Sequence, residues 1–155
     1  MVPSSYHDFF SGCATISGAL IGLLFVAISV SPGKLAGDNA STDHQVKAGA
    51  AFSALVNTLV VALVALMPGT GLGLAGIVLG AGGLSTTAAL IIVLYREQKE
   101  RIRVGQVAML VALIVLYSFE LFYAVQLDDS PRDVNAVDSL GTLAIVFFLF
   151  AIARA

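Results

Sequence analysis

The chain is written as long apolar blocks separated by short polar breaks, and the blocks set the architecture. A membrane-crossing helix needs about 20 predominantly apolar residues. Four stretches satisfy this: Phe9 to Ser31, Ala48 to Met67, Leu72 to Tyr95 and Val104 to Leu127. A fifth, Val137 to Ala153, is shorter and runs up to the chain end. Pro32-Gly33 and Pro68-Gly69 close the first two blocks, as befits residues that break helices. The pattern predicts an all-α fold: one domain over residues 1–155, a polytopic integral membrane bundle of five transmembrane helices. The first block reads as a retained helix rather than a signal peptide. No Lys or Arg precedes it, and its apolar run exceeds a typical signal core.

Basic residues then orient the spans, because Lys and Arg concentrate in cytoplasmic loops. Lys34 and Lys47 bracket the first loop, Arg96, Lys99, Arg101 and Arg103 crowd the third, and Arg154 follows the fifth span. The opposite side holds only Arg132. The expected topology places the N-terminus outside and the C-terminus in the cytoplasm. It also places Asp128, Asp129, Asp133 and Asp138 together as an outer acidic vestibule. The Arg96–Arg103 cluster serves topology first, with lipid headgroups as its alternative use.

Composition agrees with a lipid solvent. The chain is 58% apolar and 12% charged, with a mean hydropathy of +0.95, against roughly 25% charged residues in soluble domains. A net charge of −2 with no basic stripe argues against nucleic acid as a partner. The single cysteine, Cys13, reads as a small packing residue.

Lipid removes the hydrophobic drive between helices, so contacts depend on small residues that let backbones approach. Gly73, Gly76, Gly80, Gly83 and Thr87 are spaced 3, 4, 3 and 4, one continuous small stripe on a helix. It suits either a neighbouring helix or a second subunit. Gly18 and Gly22 form a second packing pair on the first span. Ser11, Thr15 and Ser29 lie near them, as a packing face or as the polar wall of a pathway.

Glu120 is the residue out of place. It lies in the fourth block, within Tyr117-Ser118-Phe119-Glu120-Leu121-Phe122-Tyr123. Ionisable residues inside spans are costly and mark functional sites by default. Glu120 precedes Asp128 by eight residues, about 12 Å along a helix. At its depth no span offers Lys or Arg. Its candidate ion- or proton-binding neighbours are Tyr117, Tyr123, Ser11, Thr15 and Thr142. Asn57, near mid-membrane on the second span, joins the set or makes a structural bond between helices. Facing a dry interior, Glu120 would be neutral and hydrogen-bonded. Facing water, it would attract cations, and repeated around an axis it would form an acidic ring.

No enzymatic, nucleotide or cofactor motif occurs: there is no His-Glu-x-x-His, Gly-x-Ser-x-Gly, P-loop or dinucleotide fingerprint. The expectation is a non-enzyme without cofactor or metal site. His7 and Asp8 open the first span, Asp8 suiting the helix N-terminus.

The first span carries Phe9-Phe10 followed by Ser17-Gly18-Ala19-Leu20-Ile21-Gly22-Leu23-Leu24-Phe25-Val26-Ala27-Ile28-Ser29. It resembles the opening helix of small bacterial multi-pass membrane proteins of unassigned function, some loosely labelled modulators of a membrane protease. The resemblance implies a bacterial source and residence in the inner (plasma) membrane. The functional expectation is a small, homo-oligomeric membrane protein conducting or coupled to cations or protons through Glu120. The alternative is a non-transporting adaptor that packs its glycine faces against another membrane protein.

Overall fold

A computed structural model of the chain describes residues 6–30, 42–67, 71–97, 104–129 and 134–154. It contains five helices: α1 (His7–Val30), α2 (Thr42–Leu66), α3 (Leu72–Glu97), α4 (Val104–Asp129) and α5 (Val134–Arg154). Each is long and apolar enough to cross a membrane, and the described residues contain no strand. The chain is an all-α bundle of five candidate membrane spans. The start of α2 differs most from expectation, beginning at Thr42 rather than Ala48. Its opening Thr-Asp-His-Gln is polar, and hydropathy carries no signal for a polar first turn.

Successive helices run antiparallel. Near one end the Tyr6 hydroxyl meets Asp138 at 3.3 Å, Gly73 abuts Asp128, and Gly141 faces the Phe9 ring. Around the bundle, α2 neighbours α3, α3 neighbours α4, α4 neighbours α5, and α5 returns to α2. These four helices form a closed ring in which α2 and α4 stand on a diagonal without extensive backbone approach. The remaining helix, α1, leans on α2 from outside. Half of the apolar stretch of α2 is buried, against 11% of that of α1, so α2 is the central helix and α1 the peripheral one.

Outside the core the surface is apolar on every helix. Leu23, Phe25, Leu74, Val78, Val111, Phe122 and Leu149 are all exposed. Such a surface is a liability in water and ordinary against lipid.

The interior divides into two apolar clusters. One gathers Val46, Ala50, Ala54, Met109, Leu113, Tyr117, Phe147 and Ala151. The other, nearer the Tyr6 end, gathers Phe10, Cys13, Val61, Leu72, Leu127, Val137 and Leu140. Between them, along α2 and α4, come Asn57, Thr58 and Glu120, all buried. The core thus holds a polar layer between two apolar halves.

The glycine stripe of α3 finds its partner within the chain. A Cβ on Gly73 would lie 2.5 Å from the Asp128 backbone nitrogen, on Gly76 2.8 Å from the Ala124 Cβ, and on Gly80 3.2 Å from Leu121. At Gly83 it would overlap the Tyr117 ring. Side chains there would force α3 and α4 apart, which is the physical reason for the row. Gly18 and Gly22 behave oppositely: a Cβ on either meets nothing within 4 Å among the described residues. They form no packing pair with another helix of this chain, because α1 turns Phe10, Cys13 and Ser17 inward and its small face outward.

Candidate functional site

The polar layer is built on the α2–α4 diagonal. Glu120 is 1% exposed and Asn57 5%. The Asn57 side-chain amide donates to both carboxyl oxygens of Glu120, each at 2.9 Å. One turn away along the same diagonal, the Ser53 and Tyr117 hydroxyls share a hydrogen bond of 2.8 Å. Two polar side-chain bridges therefore join helices whose backbones stay apart, while α3 and α5 fill the flanks.

The Asn57 amide is half satisfied. Its Oδ1 is buried and has no hydrogen-bond partner among the described residues. Beside it lies a cavity of about 10 Å³ lined by Asn57, Thr58, Glu120, Leu143, Ala144 and Phe147, among others. That is about the minimum to hold one water molecule. The Thr58 hydroxyl donates to the Ala54 carbonyl and keeps lone pairs for an incoming donor or cation. The Phe147 ring packs against Tyr117 with centroids 5.1 Å apart, roofing the cavity with apolar surface.

The other sequence candidates are dispersed. Ser11, Thr15 and Thr142 share roughly the depth of Glu120 but are exposed, and Thr15 donates to the Ser11 carbonyl of its own helix. These side chains sit on the outward faces of α1 and α5. Tyr123 lies among rings, 6.4 Å from Phe119 and 5.4 Å from Phe122 by centroid. Tyr117 is adjacent to the site but spends its hydroxyl on Ser53. Asp128, Asp129 and Asp138 are exposed near the Tyr6 end, and Asp133 lies outside the described residues. No group of three metal-ligating side chains forms among the described residues. His7 and Asp8 are neighbours at 3.9 Å and both open to solvent.

Sequence reasoning placed Asn57 in the candidate set without pairing it to Glu120. A usable signal existed. Asn57 lies ten residues before Met67 and Glu120 eight before Asp128, and both count from the same end of the bundle. Their depths differ by about 3 Å at 1.5 Å per residue.

The fold and site define a five-helix membrane-spanning bundle with a buried carboxyl–carboxamide pair in its core. Comparison with protein-family models, curated proteins and solved structures finds no match.

Proposed function

We propose that this chain is a small multi-pass membrane protein that binds and releases a proton or monovalent cation at Glu120, coupling that event to a change in the bundle. One observation carries the reading: Glu120 is 1% exposed, and the side chain bonded to it is the neutral amide of Asn57. A lone carboxylate in a low-dielectric interior is expensive and must be neutralised. Every Lys and Arg in the sequence stands at a span end or in a loop. The neutralising charge must therefore come from outside, as a proton or a cation.

A proton or a monovalent cation fits better than a divalent one. A cavity of about 10 Å³ admits about one water, whereas Ca²⁺ or Mg²⁺ would require six or more oxygens. The enclosed geometry favours a coupled cycle over an open acidic ring. The resemblance of the first span supports a bacterial inner membrane as the place of residence, and the basic-residue pattern supports an N-terminus outside and a C-terminus in the cytoplasm.

The test is proton and cation flux in proteoliposomes, wild type against Glu120→Gln. The amide oxygen keeps one of the two bonds from Asn57, and once the two amides turn to face each other its NH2 can donate to Asn57 Oδ1, so this variant should fold. Flux above empty liposomes that is lost in Glu120→Gln supports the reading. Equal flux in both, or none in either, removes it.

A second reading is favoured by the outward face of α1. Ser11, Thr15, Gly18 and Gly22 lie there, and a Cβ on either glycine would meet no described residue within 4 Å. This is the surface left for a second copy or for a partner membrane protein. For that adaptor reading the diagnostic change is Gly22→Leu, since Gly80 is already engaged with α4. Loss of a co-purifying partner on Gly22→Leu supports it, and a partner-free wild type counts against it.

A further inference from the structure

We infer that a groove between α2 and α3, opening on the side of the bundle, binds a neutral lipid-soluble molecule through a hydrogen-bond acceptor such as a carbonyl or hydroxyl oxygen. The groove has a volume of about 450 Å³, within the range of roughly 300–1,000 Å³ typical of small-molecule sites. Its walls are Phe52 and Val56 of α2 and Val78 and Leu90 of α3. The missing side chain of Gly82 keeps it open. Gly49, Gly82 and Gly83 all line it, and a Cβ on Gly82 would meet nothing within 4 Å.

The floor is polar, which distinguishes this groove from a seam between helices. Ser53, Asn57 and Tyr117 line it, and the Ser53–Tyr117 hydroxyl pair is closed at 2.8 Å. Two hydroxyls carry two protons, and their mutual bond uses one. Whichever oxygen donates, the other keeps a proton to offer. In lipid no water competes for that donor, so it selects an occupant with an acceptor.

Depth and charge narrow the occupant. Ser53 is 13 residues from the Leu66 end of the apolar stretch of α2 and 7 from its Val46 end, hence about 10–20 Å from either end at 1.5 Å per residue. A phospholipid carries its polar atoms at the interface and reaches this depth only with acyl chain. Among the described residues no charged side chain lines the groove, so an ionised ligand would go uncompensated. A neutral molecule that dissolves in the hydrocarbon layer and carries a ketone, quinone or alcohol oxygen satisfies every constraint. Asn57 lines this groove and the cavity beside Glu120 alike, so an occupant would touch the residue that holds the carboxyl group. The binding inference itself does not depend on ion coupling.

The test uses an alkyl benzophenone bearing an alkyne, whose ketone is both acceptor and photoreactive group, with the full-length protein in liposomes. Saturable labelling mapped to residues 49–57 or 78–90 is expected. A long-chain dialkyl ketone should compete with it, and an alkane of equal length should not. Gly82→Leu should fill the groove and abolish labelling, while Gly18→Leu on the open face of α1 leaves it unchanged. Ser53→Ala combined with Tyr117→Phe should weaken labelling by roughly tenfold, the scale of one hydrogen bond. Thermal unfolding of each variant reports whether it folds. Unsaturable labelling, equal labelling in Gly82→Leu, or equal competition by the alkane would overturn the inference. So would cross-links that instead capture a protein helix in the groove.

Discussion

The ring of Tyr117 occupies the space that a side chain on Gly83 would take. The same tyrosine reaches across the bundle to the Ser53 hydroxyl at 2.8 Å. Gly83 thus does two things: it lets α3 approach α4, and it admits the ring whose hydroxyl closes onto α2. Replacing Gly83 with Ala should destabilise the fold by about 1–3 kcal/mol, the usual cost of overpacking. Gly82→Ala, one residue away and facing open space, should be near neutral. Reversible unfolding of both variants in mixed micelles checks this, and equal stabilities would refute the packing role.

The Asn57–Glu120 bridge predicts strong non-additivity. Asn57→Leu leaves the buried carboxyl group without its amide and should cost about 1–3 kcal/mol. Combined with Glu120→Leu, much of that loss should return, because two apolar side chains leave nothing unsatisfied. A double-mutant cycle measures the coupling. Additive effects would mean that the two side chains do not pair.

Ser17 predicts a gain. Its hydroxyl is fully buried and without a hydrogen-bond partner among the described residues. A buried unsatisfied hydroxyl carries a desolvation penalty. Ser17→Ala should therefore raise stability by up to about 1 kcal/mol. A clear loss of stability would show that the hydroxyl is satisfied.

Tyr6 predicts a pH effect at the bundle end. Partial desolvation, then the charge of Asp138 and their hydrogen bond, push its phenol above the ordinary value of 10.0. The sign follows from the neutral phenol being the donor. The contact contributes below the ordinary tyrosine range and is lost as pH rises through the elevated folded value. Phenolate absorbance, with Tyr6→Phe subtracted, should show Tyr6 ionising at higher pH in wild type than in Asp138→Asn. Coincident titrations would exclude the contact.

The spans were legible because twenty apolar residues leave few alternatives, and Glu120 because a carboxylate contrasts with its surroundings. The stripe from Gly73 to Gly83 was legible as a packing device, yet its partner was not. Spacing fixes which residues share a face, not which helix that face meets. Helix rotation was the missing quantity for Ser11, Thr15 and Thr142 as well. In a lipid-exposed bundle both faces of a span are apolar, so the hydrophobic pattern that orients helices in water gives little help. Asn57 shows the remedy: a polar residue deep in an otherwise apolar span searches for another polar residue at its own depth.

The polar bridge also has a history in time. Asn57 and Glu120 are 63 residues apart in the chain. At about 5–20 residues per second of synthesis, Asn57 is made roughly 3–13 s before the carboxyl group that will accept its hydrogen bonds. For that interval the central helix carries an amide whose final partner has not emerged from the ribosome. Completion of α4 is the moment at which the second helix acquires a reason to hold its final rotation.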